Sequence, residues 1–589
     1  MRRRQWDRSR WAAFVSAIPA HGNQGPTGWY SMGKDPLVPV PGHELERTGW
    51  TYAEDVSVRL GPQFAWESTV CLERSLASQL HSWRFVDPVL LHHRETGDLD
   101  DLRWLADTLE AWWSYARSDP PERSMAWTEW AVTLRVPRLV NVMSFLARTP
   151  LRTWLPIHRD LLLTHAELLA TDAYFNARNN HGFFAAAAQL TAARALEPLM
   201  DVGEWRRQAQ ERFALMMSTQ FSKDGGHLEH SPAYHRLLLV ALADLLDQGL
   251  ITEGDIPFRI QDAYAALAWM KQPSGRLVQF GDTGQDPGHV PDVVRASPAD
   301  AFVLTDGRQG SPGSETWRVF PHSGYVFVRT PAPGTGTAPA KECSSVALIS
   351  GFHSRAHKHA DDLTFVWSEG ETEIVVDSGK FAYGELLDGA DPLRKEGFYY
   401  TSRERQYVES ARAHNTVVVG PLGQIDRTRV PYGSGAPRLV EGGSGIEISA
   451  VAKHAHYTHD RVLLFEPGRH LLVRDVISLS DGAGGPLDTV TAWLNVNGDF
   501  GLDRHDRGSA LFVDDESGRS VLLEVVMGDG VIASLVRGQL DPMAGWRSVV
   551  DHDLIPVWNI EIVAPARRTT EIGVRLTVSE EAAFGREEG

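Results

Sequence analysis

Two different rhythms of apolar residues divide this chain. From about residue 55 to 300 the apolar positions recur at helical spacing. In "DLRWLADTLEAWW", Leu102, Leu105, Leu109 and Trp112 fall on one stripe of a helix. "FFAAAAQLTAARALEPLM" and "RLLLVALADLLDQGL" are rich in Ala and Leu, which enter helices at the smallest cost. Turns with Gly, Pro or Asp separate these runs, and no fixed-length repeat is visible. Many antiparallel helices in succession predict an (α/α) toroid or a large helical array. Near the start, Trp11, Phe14, Val15 and Ile18 share one helical face, which predicts an amphipathic opening helix.

The rhythm changes near "DGRQGSPGSETW", residues 306–317. Beyond it come short alternating or β-branched runs such as "SGYVFVRT", "SSVALIS", "TEIVVDSG" and "RVLLFEPGRHLLVRDVISLS", punctuated by Gly, Asp and Pro. They predict an antiparallel β-sandwich, with "PAPGTGTAPA" as a surface loop between two strands. The expected fold is therefore multidomain α+β: an N-terminal (α/α) toroid over residues 1–315 and a C-terminal antiparallel β-sandwich over residues 316–589.

Composition narrows the partners. A chain of 589 residues exceeds one ordinary core, in line with two domains. The net charge of −18 repels nucleic acid and anionic membrane, so neither is an expected partner. A local cluster of Arg can still bind an anion, and Arg outnumbers Lys 50 to 8. Two cysteines, Cys71 and Cys343, make no disulfide framework. No apolar run approaches the ~20 residues of a bilayer span. The basic start has a short apolar part and no small-x-small cleavage site, so the cytoplasm is the expected compartment. Fifteen of the 19 tryptophans precede residue 320; most belong in helix packing, and a few could stack on sugar rings.

Four segments set polar groups inside apolar patterns. In "NARNNHGFF", Asn180 and His181 stand just before a strong helix, where Asn179 or Asn180 could simply be its N-cap. "DGGHLEHSPAYHRLLL" carries His227, Glu229, His230, Tyr234 and His235, a dense set even for a turn feeding a helix at Pro232. In "SRAHKHADDLTF", strand alternation would put His357, His359 and Asp361 on one face and Lys358 and Ala360 on the other. The plain alternative there is a solvated strand edge. Finally, Asp377 ends an apolar strand and needs a partner for its charge, and His414 lies in "ARAHNTVVVG". His359, Asp377 and His414 offer two nitrogens and one oxygen, a donor set suited to Zn²⁺. Arg135, Arg178 and Arg412 are candidates for binding a substrate's charges, or ordinary salt-bridge partners.

Taken in order, "NNHG", "EHSPAYH", "HKHADDLTF", "VVDSG" with Tyr383 behind it, and "HNTV" resemble the motifs of the heparinase II/III-like polysaccharide lyases, a group that includes heparan-sulfate and oligoalginate lyases. "HSWRFVDPVLLHHRETGD" and "AWTEWAVTLRV" are similar to the family's early toroid helices. The resemblance implies a toroid followed by a β-sandwich. It also implies β-elimination on an anionic, uronic-acid-containing oligo- or polysaccharide. By residue, it implies that Asn180 binds the uronate carboxylate and that His181 is a base or proton-transfer partner. Tyr234 is then acid and, for some epimers, base, while His357 helps neutralise the carboxylate. His359, Asp377 and His414 hold a structural metal, usually zinc. The heparinase II branch has a glutamate shortly after the Asn-His pair; Phe183 or Phe184 stands here, which puts broad heparin specificity in question. Two other readings compete: a glycoside hydrolase on the same toroid, with Glu229 as acid, and a non-catalytic carbohydrate-binding protein.

Overall fold

The computed structural model describes residues 8–21, 29–30, 38–53, 56–118, 124–331, 340–420, 430–443, 445–480 and 487–579. The core of the "PAPGTGTAPA" segment, 332–339, lies outside the described residues. The chain forms two compact units. One comprises Met1–Gln220 and Leu237–Pro257, the other Phe221–Arg236 and Phe258–Gly589.

The first unit is helical. Its opening helix Arg8–His21 buries Phe14 and Ile18, as the amphipathic pattern predicts. The helix Leu99–Ala116 starts at Asp98, whose side chain accepts from the Asp100 amide, and buries Leu102, Leu105, Leu109 and Trp112. The helix Glu129–Ala147 is capped by Thr128 and is almost wholly buried from Ala131 to Ser144, so neighbours cover it on every side. The helix Asn180–Leu196 contains a run of four buried alanines, Ala185–Ala188, which let adjacent helices approach closely. Asn179 caps it: its side chain accepts from the His181 amide at 3.1 Å. Gly182 is required just beyond, because a Cβ there would meet the Asn176 carbonyl oxygen at 2.4 Å. Among the described residues no helix is long and apolar enough to cross a membrane.

The second unit is built on two antiparallel sheets. The eight-stranded sheet runs in the order Gly501–His505, Ser509–Val513, Ser520–Met527, Thr569–Ser579, His470–Leu479, Tyr457–Glu466, Gly445–Lys453, Arg438–Gly442. The nine-stranded sheet runs Val531–Arg537, Trp558–Pro565, Thr489–Val496, Thr372–Val375, Phe365–Glu369, Cys343–Ile349, Tyr325–Pro331, Trp317–Phe320, with Val417–Val419 also on Thr489–Val496. Val346, Leu348 and Trp367 of one sheet share a core with Ile448, Leu463, Phe465 and Leu576 of the other. In Tyr457–Glu466 buried and half-buried positions alternate, the mark of a sheet with one covered face. Cys343–Ile349 is buried at all seven positions, so both faces of that strand are covered.

Residues 351–364 connect two strands of this buried sheet and carry the "HKHADD" motif. The strand expected over His357–Asp361 is instead an irregular loop. His357 has φ +58° and Leu363 φ +55°, backbone settings that break strand alternation. Lys358, expected on the opposite face, is 3% exposed and turns back to hydrogen-bond the Asp361 carboxylate. Asp362 is also buried, 3.8 Å from the Lys358 ammonium and 3.5 Å from His454 Nε2.

Candidate active site

The second unit gathers Tyr234, His357, His359 and Tyr383 around one carboxylate, Asp282. His357 Nδ1 lies 2.8 Å from Asp282 Oδ2, and His359 Nε2 lies 2.9 Å from Asp282 Oδ1. The Tyr383 hydroxyl donates to Asp282 Oδ2 at 2.8 Å and lies 3.1 Å from His357 Nδ1. The Tyr234 hydroxyl meets the Tyr383 hydroxyl at 2.8 Å. The Tyr234 ring stacks on the His357 imidazole, centroids 3.5 Å apart and planes 19° apart.

Asp282 is 1% exposed and balanced by Arg405, whose Nη1 approaches Oδ1 at 2.5 Å and whose Nη2 reaches Glu409 at 2.7 Å. Burial alone would raise the Asp282 pKa, but Arg405 and the hydrogen bonds from His357 and His359 hold it well below the usual carboxylate range. An ionised carboxylate only accepts, so His357 carries its proton on Nδ1 and His359 on Nε2. Burial, reinforced by the Asp282 charge, pushes the Tyr234 phenol far above its ordinary pKa. Tyr234 is therefore a neutral phenol at neutral pH. On its other side His357 faces Glu229, with Nε2 3.5 Å from Oε2. His230 and His235 serve structure: His230 accepts from the His353 amide at 3.0 Å, and His235 Nε2 lies 2.8 Å from the Ala263 carbonyl oxygen.

Behind His359 lie the other candidate metal ligands. The His359 and His414 rings are 5.3 Å apart. Burial pulls the His359 pKa down, so the ring is neutral and its Nδ1, buried and without a hydrogen-bond partner, keeps a lone pair. His414 Nε2 is likewise buried and unpartnered. Asp377 is engaged on both oxygens, by His414 Nδ1 at 2.8 Å and by the Thr364 hydroxyl at 2.8 Å. As placed, it is the carboxylate that orients His414. Asn415 fixes this corner of the sheet, donating to the carbonyls of Phe365 at 2.7 Å and Val376 at 2.9 Å. Among the described residues no group of three or more His, Cys, Asp or Glu side chains is arranged to hold a metal ion. The two unpartnered imidazole nitrogens suit one; Asp377 would have to give up a present hydrogen bond to join them.

The helical unit holds the Asn-His pair. Asn180 is the first residue of its helix and is 2% exposed. His181 is half-exposed, with Nδ1 3.1 Å from Glu129 Oε1 and its ring stacked on Trp130 at 4.2 Å. The hydrogen bond to His181 lowers the Glu129 pKa. Phe183 and Phe184 are wholly buried, so the carboxylate beside His181 comes from another helix.

The three arginines part company. Arg135 is not placed to meet a substrate. It is 0% exposed, with Trp112 at 4.3 Å, Trp127 at 5.5 Å and Trp83 at 5.6 Å around its guanidinium. Its Nε donates to His165 Nε2 at 2.9 Å and Nη1 to the His81 carbonyl at 2.7 Å. Arg178 is exposed, and Arg412 is half-buried in the short helical turn Ala411–Ala413.

Sequence reasoning missed Asp282, Glu129 and Arg405. A signal for Asp282 existed: "RLVQFGDTG" ends an apolar run in Asp, the pattern that singled out Asp377. No comparable signal marks Glu129, which meets His181 across 52 residues of sequence.

A helical unit followed by a two-sheet β unit, with these motifs in order, defines a class of toroid-and-sandwich proteins. Residues 49–284 match the family model described as Heparinase II/III N-terminus, and residues 312–574 match Heparinase II/III-like, C-terminal. The chain belongs to the heparinase II/III-like family. Among solved structures it resembles heparan sulfate lyase HepC from Pedobacter heparinus, at 17% identity, TM-score 0.65, covering 97% of this chain and 89% of that one. It also resembles a heparinase III, at 13% identity, TM-score 0.68, covering 99% and 87%. These likenesses establish the fold, an (α/α) toroid followed by an antiparallel β-sandwich. No curated protein sequence matches the chain.

Proposed function

We propose that this protein is a lyase that cleaves a 1,4-linked, uronic-acid-containing glycan by β-elimination. The observation that carries the reading is Tyr234, stacked on His357 and hydrogen-bonded to Tyr383 in a site that keeps its phenol protonated. In this reaction the C5 proton, α to the carboxylate, is removed, the C4–O4 bond breaks, and a C4=C5 double bond forms. The departing O4 needs a proton. A neutral, buried tyrosine is suited to give it. Negative charge builds on the carboxylate as the C5 proton leaves, so donors must meet it there. The family pattern gives that task to Asn180 and His357, and proton transfer to His181. The structural relatives are named for heparan sulfate and heparin, which makes sulfated uronate glycans the first substrates to test; alginate-type polymers follow.

The family metal belongs to the same proposal. His359 and His414 would hold zinc through the nitrogens that now lack partners, with Asp377 completing the set. Bound there, it would supply a fixed anchor for His359 and thus for the loop that carries His357. Elemental analysis is expected to find stoichiometric zinc in wild type, and His359→Ala to lose it together with thermal stability. Metal-free wild type with an unaffected His359→Ala variant would remove the metal.

Incubation with uronate-containing glycans, followed by ultraviolet absorbance, tests the activity. The expected product is an unsaturated uronate, which absorbs. New reducing ends without that absorbance would mean a hydrolase, and binding without turnover a carbohydrate-binding protein.

A further inference from the structure

The mechanism assigns tasks to Tyr234 and His357 but leaves open what holds them in register. The segment Gly281–Thr283 touches both. The Asp282 amide donates to the His357 carbonyl at 2.9 Å. Gly281 has φ +51°, and a Cβ there would meet that same carbonyl oxygen at 2.4 Å and the His230 carbonyl oxygen at 2.9 Å. The backbone can approach the histidine loop this closely only with glycine at that position. On its other side the segment grips the start of the helix Pro232–Asp247, which carries Tyr234. Thr283 Oγ1 accepts from the Ala233 amide at 3.2 Å, and the Ser231 hydroxyl donates to the Asp282 carbonyl at 2.9 Å. The Asp282 side chain then reaches His357 and His359 directly and Tyr234 through the Tyr383 hydroxyl.

We propose that Asp282 is the positioning residue of this site. With Tyr383 as its extension, it fixes the proton of His357 on Nδ1, turns Nε2 away from the clamp, and sets the direction of the Tyr234 hydroxyl. His357 occupies a left-handed backbone setting that a side-chain-bearing residue seldom adopts, and the Asp282 contacts over-determine it. The role rests on the lyase reading for its catalytic consequence, though not for its structural content.

Two variants test it. In Asp282→Asn the amide group can donate to His357 Nδ1, which drives the ring proton to Nε2. We expect kcat to fall about a hundredfold or more, the scale of small misplacements in an assembled site, with KM changed only a few-fold. Ring-nitrogen NMR of protein labelled in histidine, with the His357 signals assigned by their loss in His357→Gln, is expected to show the shift from the Nδ1–H to the Nε2–H form. Tyr383→Phe leaves the Asp282–Arg405 and Asp282–His357 pairs in place and removes the hydroxyl that links Asp282 to Tyr234 and also lies near His357 Nδ1. It should lower kcat about tenfold or more at near-normal melting temperature, and add nothing when combined with Asp282→Asn. An unmoved His357 signal in Asp282→Asn, or a kcat unchanged in both variants, would overturn the proposal. If wild type yields no unsaturated product, the lyase reading fails while the NMR result still decides the role of Asp282.

Discussion

His357 and His181 are both held at Nδ1 by a carboxylate, but by opposite means. His357 sits in a buried network, where the Asp282 carboxylate meets His357, His359 and Tyr383 and is itself balanced by Arg405. His181 is half-exposed and meets a half-exposed Glu129, with Trp130 stacked on its ring. In the buried cluster every polar atom that loses its partner carries a desolvation cost, so each member constrains the others. In the exposed pair water can replace either partner, and stacking contributes much of the orientation. A histidine whose direction must not vary belongs in the first setting; one that has to move a proton to and from substrate or solvent fits the second.

Single substitutions should reproduce that contrast. Tyr234→Phe, inside the buried cluster, is expected to lower turnover on the order of 10²–10⁴-fold, the usual worth of a positioned acid or base. Its melting temperature should barely move, since about 1 kcal/mol of hydrogen bonding is lost. Turnover near wild type would remove Tyr234 from the reaction. Arg135→Ala tests burial without chemistry. Emptying the cage of Trp83, Trp112 and Trp127 should destabilise the helical unit by on the order of 3 kcal/mol, while KM stays as it was. A raised KM in a stable variant would return Arg135 to the substrate.

Acidification should weaken both units. Burial holds the pKa of His158, in the helical unit, and of His235, in the second, down to about 4. The unfolded chain takes up those protons near pH 6.5, whereas the folded chain does not until about 4. Stability is therefore lost as pH falls through that window, by about 1.4 kcal/mol per pH unit for each residue. Thermal unfolding should come several degrees lower at pH 5 than at pH 7, and an equal or higher transition at pH 5 would contradict this. Smallest is the exposed pair: Glu129→Gln should change kcat by no more than about fivefold. A loss as large as that of Tyr234→Phe would erase the contrast between the clusters.

Local pattern carried the helices and much of the sheet, because burial follows period. Leu102, Leu105, Leu109 and Trp112 lie on the buried stripe their spacing predicts. The "HKHADD" loop departs from its pattern because its backbone is set from a distance: Gly281 comes up against the His357 carbonyl, and a positive φ follows. No local rule shows that approach. Arg135 fails for a related reason. The pattern of its helix gives no hint that three tryptophans from other elements close over the guanidinium. The site residues read from motif order, Tyr234, His357 and His359, do converge on Asp282, whereas the carboxylates that hold them become visible only when the chain is folded.

Digestion in heavy-oxygen water, with mass spectrometry of the products, separates elimination from hydrolysis. The expected result is an ultraviolet-absorbing fragment with a double bond at its non-reducing end, lighter than the hydrolytic product by one water and carrying no oxygen from solvent. A saturated fragment that has taken up heavy oxygen at its new reducing end would contradict it.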